Sequence, residues 1–130
     1  MGLQEKRLMK NLQDTAIPER VKNFEEMTGA QIQYDVNWDS FADDYAALNA
    51  FDFLAMNTVE MAFRMICVDD FSKQAVQEGV NTIKLENIQD AADNAITFAD
   101  GVLSLRCAYG QGLDGIIREN QIKKVVEAGL

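Results

Sequence analysis

The chain has 130 residues, with 21 acidic against 12 basic side chains, a formal net charge of −9 and no histidine. This balance repels polyanions and argues against a nucleic-acid surface, and the missing histidine removes the usual general base and a common metal ligand. A hydrophobic content of 48%, a charged content of 25% and a single proline argue against disorder and predict one folded domain spanning residues 1–130.

Met1-Gly2-Leu3-Gln4-Glu5-Lys6-Arg7 leads into no apolar signal region, and no stretch approaches the length of a membrane span, so a cytoplasmic protein with no membrane partner is expected. Leu8, Met9 and Leu12 recur at helical spacing, predicting a first helix to about Gln13. Thr15 and Pro18 predict a new start, because proline is tolerated in the first helical turn. Ile17, Val21 and Phe24 give this second helix its apolar face, and Gly29 its stop. From Gln31 to Trp38 polar and apolar residues alternate, the period of a half-buried strand.

Asp39 or Ser40 then offers a helix cap, with Asp43 completing a box. Tyr45, Leu48, Phe51, Ala55, Val59, Ala62 and Ile66 follow helical spacing, with Leu54 and Phe63 widening the stripe. An alternating strand over Val59–Met65 is the rival reading, but alanine and methionine favour helix. Asp69-Asp70 starts a further helix that runs to Gly79. Thr82–Glu86 alternates as a strand. Ala95–Phe98 and Val102–Cys107 flank Ala99-Asp100-Gly101, a hairpin signal. The hairpin's inward face should be Ile96, Phe98, Leu103, Leu105 and Cys107, and its outward face Thr97, Ser104 and Arg106. After a glycine-rich loop, Ile122, Val125, Val126 and Leu130 mark a terminal helix. The expected fold is α+β: a small, mainly antiparallel sheet, built from one early strand, the hairpin and its neighbour, packed by several amphipathic helices.

Chemistry has few places to reside. Cys67 and Cys107 stand among apolar neighbours and read as reduced core residues; Cys67 lacks a histidine partner and sits beside Asp69 and Asp70, which oppose thiolate formation. Residues 110–121 suggest a calcium loop, but Gly110 and Gly112 occupy ligand positions and Gln121 replaces the bidentate glutamate. Gly110-x-Gly112-x-x-Gly115 also matches a dinucleotide fingerprint as a string, yet it follows a hairpin strand rather than opening a βαβ unit. No catalytic residue, metal ligand or cofactor is therefore assigned. Loop amides near Gly110, Gly112, Asp114 and Gly115, with Arg118 close by, form a candidate anion loop.

Acids gather between Asp35 and Asp70: Asp35, Asp39, Asp43, Asp44, Asp52, Glu60, Asp69 and Asp70, against Arg64 alone. Capping and solubility account for most of them. The segment Phe51–Val68 is apolar on more than one side, so part of it needs a second cover, and Phe53, Met56, Met61 and Met65 are candidate interface residues. The primary expectation is an acidic, non-enzymatic module that binds another protein or forms a homodimer through Phe51–Val68. The alternative is a ligand-binding domain or enzyme with a carboxylate-lined site at Asp69 and Asp70, or the Gly110–Gly115 loop.

Overall fold

The computed structural model describes residues 1–130 and shows an α+β architecture with the elements in the order of the sequence signals. Helix α1 (Leu3–Asn11) passes through a wide π turn, Leu12–Ala16, into α2 (Ile17–Thr28). The expected break before Pro18 does not occur: Asn11, Leu12, Ala16 and Ile17 all keep right-handed helical dihedrals. Proline lacks an N–H and its ring crowds the preceding turn, and the widened turn directly upstream accommodates it within one continuous helix. Gly29, with φ 81°, ends α2 in the left-handed conformation that suits glycine.

Strand β1 (Gln33–Val36) is shorter than the eight-residue alternation predicted, because Trp38–Phe41 turns into a 3₁₀ segment. The next helix is capped by Asp44 rather than by Asp39 or Ser40; its carboxylate accepts from the Ala47 N–H at 3.0 Å. α3 (Tyr45–Ala50) continues through a second wide turn, Phe51–Met56, into α4 (Asn57–Ile66), so Val59–Met65 is helix, as expected. Asp69 caps α5 (Asp70–Gly79). Strands β2 (Thr82–Asn87), β3 (Ala95–Ala99) and β4 (Val102–Cys107) follow, and α6 (Glu119–Gly129) closes the chain. No helix is long and apolar enough to cross a membrane.

The sheet runs β1-β2-β4-β3 and is mixed, not mainly antiparallel. β1 pairs parallel with β2 and β2 parallel with β4; only β3 and β4 are antiparallel. The helical crossover between β1 and β2 returns the chain to the same end of the sheet, which forces parallel pairing. β3 then takes the outer edge, and β4 turns back between it and β2. At the hairpin tip Asp100 and Gly101 have φ 55° and 79°, the paired positive values of a type I′ turn.

Leu103, Leu105 and Cys107 are buried and Ile96 and Phe98 pack against the core, while Arg106 and Thr97 face outward. The predicted alternation of the hairpin therefore holds. Helix α2 packs on β1 and α6 on β3, and 26 buried apolar residues join into one core. Phe24 and Phe63 meet edge-on at 4.8 Å where α2 crosses α4. Trp38, Phe41, Phe51 and Tyr109 form a second aromatic cluster.

Candidate functional site

A cleft of about 600 Å³ lies between the turn after β1 and the loop after β4, where Asp39, Asp43 and Asp44 face Gly110. Asn87, at the end of β2 and 4% exposed, braces the residues that line it. Its amide donates to the Ser40 carbonyl and to Asp44 Oδ2, each at 3.1 Å, and its oxygen accepts from the Tyr109 N–H at 3.2 Å. Asp44 caps α3 with its other oxygen, and Asp43 receives the N-terminal ammonium at 3.3 Å. No cluster of three carboxylate or thiol groups is spaced to hold a metal ion.

This geometry weakens the anion-loop reading, because three carboxylates surround Gly110. Arg118 lies outside the cleft and pairs with Glu119 at 3.1 Å, and Asp114 is exposed. Gly115 serves the fold instead: its carbonyl accepts from the Ala108 N–H at 2.9 Å and from the Asn94 amide at 2.9 Å, and an added Cβ would collide with the Ala108 carbonyl. Gly112 has φ 72° and open space around it. Gly115→Ala is therefore expected to cost about 1–3 kcal/mol by overpacking against backbone. Gly112→Ala should cost about 1–3 kcal/mol, because φ 72° with ψ −149° is a backbone region open essentially to glycine alone. Urea unfolding of the two variants checks both, and a loss within about 0.5 kcal/mol at either would contradict its reading.

Asp69 and Asp70 do not enter the cleft. Asp69 is spent on capping: the Ser72 side chain and N–H, the latter at 2.7 Å, hold its carboxyl below the ordinary range. Both cysteines are free. Burial pushes the Cys67 thiol up, with Asp69 adding and Lys73 opposing, and burial does the same to Cys107, so neither is an activated nucleophile.

The predicted interface residues separate into two groups. Met56 is fully buried; the wide turn Phe51–Met56 rotates it toward the core together with Leu54 and Ala55. Phe53 is 66% exposed and Met61 and Met65 are partly exposed. Phe53, Asn57, Met61 and Met65 recur every four residues, so they form one ridge along the outer side of the helix. Val68, 76% exposed, and Phe71, 83% exposed, extend the apolar surface past its end. Beside Phe71, Ile66, Ala75 and Leu130 line a shallow groove of about 210 Å³.

Behind this helix lies a charged cluster that spacing along the chain did not reveal. Arg20 of α2 binds Asp52 and Glu60, partners 32 and 40 residues away. Periodicity cannot report such pairs; the available signal was a lone glutamate, Glu60, within the apolar stripe. Compared with protein families, with curated proteins and with solved structures, the chain matches none at a significant level.

Proposed function

We propose that this protein is a non-enzymatic binding module that self-associates through the ridge Phe53-Asn57-Met61-Met65 and its extension at Val68. The observation that carries the reading is the exposure of Phe53, Val68 and Phe71 on a molecule whose core is already closed without them. Large exposed apolar side chains in a row mark contact surfaces more often than solvent-facing ones.

The ridge is also self-complementary. Phe53 stands about two turns before Met61 and Val68 just past the helix end at Ile66, so a two-fold axis at Met61 brings the Phe53 end of one copy toward the Val68 end of the other. Two such rows of four-residue spacing interlock in the commonest class of helix crossing. The rest of the molecule opposes association, since each copy carries −9, and salt screens that repulsion. Light scattering is expected to give a dimer whose fraction rises with protein concentration and with salt. Met61→Lys, which places a cation on the axis opposite its own copy, should leave a monomer of unchanged fold. A wild type that stays monomeric at all concentrations, or a variant that associates equally well, would overturn the reading.

A further inference from the structure

The cluster between α2 and the α3–α4 helix does not balance its charges. Arg20 Nε donates to Asp52 Oδ1 at 2.8 Å and Nη1 to Glu60 Oε2 at 2.9 Å, so one guanidinium serves two carboxylates. Glu60 is 4% exposed, and its other oxygen, Oε1, is sealed from solvent with no donor in reach. The Tyr34 hydroxyl of β1 is likewise sealed and unpaired. An unpaired, buried carboxylate oxygen is a poor place for charge, whereas a neutral carboxyl tolerates it.

We infer that Glu60 is a proton-operated latch between α2 and the α3–α4 helix, which takes up a proton in mild acid and thereby tightens their docking. The proton comes from solvent and rests on Oε1, while Oε2 continues to accept from Arg20. The groups that face Glu60 are Arg20 from α2, Asp52 from the wide turn, Tyr34 from β1 and Arg64 on its own helix. Lys123 and Glu127 of α6, which packs on the same helix, pair with each other at 2.7 Å. Burial is the largest influence and pushes the Glu60 carboxyl above its ordinary value of 4.5, against the pull of Arg20 and Arg64.

A folded-state value above the unfolded one means that the folded chain binds the proton more tightly. The stability it contributes is then complete below about pH 4.5 and is lost as pH rises through the raised value. The latch goes beyond self-association, and its test needs only the single chain. Carbon-13 detection of the Glu60 carboxyl should show titration above 4.5. Between about pH 4 and pH 8 the urea midpoint of the wild type should fall relative to that of Glu60→Gln, which has no proton to lose. A carboxyl that titrates at or below its ordinary value, or midpoints that run parallel, would overturn the latch. If Glu60→Gln does not fold, the carbon-13 titration decides alone.

Discussion

Replacing Arg20 by Met is expected to lower the unfolding free energy by about 3–5 kcal/mol at neutral pH, the usual consequence of stranding a buried charge. The loss falls mainly on Glu60, whose side chain is 5% exposed, because Asp52 at 48% exposure can recover solvation from water. One further contact goes with the guanidinium: its Nη2 reaches the Asp52 carbonyl at 3.5 Å. Without Arg20 nothing on α2 opposes the effect of burial on Glu60, so the carboxyl should take up its proton at still higher pH. The penalty therefore shrinks in acid, where the neutral carboxyl no longer needs a cation. Combining Arg20→Met with Glu60→Gln should recover much of the loss at neutral pH, since the second change removes the stranded charge. Urea unfolding of the two single variants and the double variant measures the coupling. A loss below about 1 kcal/mol for Arg20→Met, the range of a solvated surface pair, would show that the cluster holds nothing together.

What the sequence made legible was what local chemistry decides. Asp100-Gly101 specified a turn with two positive φ values and hence the β3–β4 hairpin, and strict alternation set which of its residues face the core. Asp69 signalled the start of α5 because a carboxylate there meets free N–H groups. Strand direction was not legible, since alternation is the same in parallel and antiparallel pairs; a crossover from residue 37 to 81 decided it. The wide turn at Phe51–Met56 has no marker comparable to Pro18, yet it moved Met56 from the predicted contact ridge into the core. Phe53, Met61 and Met65 kept an outward position because they share a single four-residue row. The pairings of Arg20 and Asn87 escaped notice because they join residues more than twenty positions apart.

Asn87→Leu is expected to cost about 3 kcal/mol or more, because it keeps side-chain size while leaving polar groups without partners. The Ser40 carbonyl and the Tyr109 N–H would lose their partner and Asp44 one of its two donors, with each buried orphan worth about 1–3 kcal/mol. Asn87 fastens the end of β2 to the turn after β1 and to the loop that carries Gly110. Tyr109, stacked on Phe41 at 5.9 Å, should therefore shift with it, and the amide signals of Gly110 and Ala47 should move. Asn87→Asp makes a sharper comparison. It retains an oxygen for the Tyr109 N–H but sets a carboxylate against Asp44, an unfavourable like-charge contact that protonation in acid relieves. Urea midpoints for this variant should thus approach the wild-type value as pH falls and diverge as it rises, whereas a variant that merely leaves a cavity should differ from wild type by an amount independent of pH. If Asn87→Leu unfolds within about 0.5 kcal/mol of the wild type, as a neutral surface change would, then the bonds to Ser40, Asp44 and Tyr109 do not hold the cleft in shape.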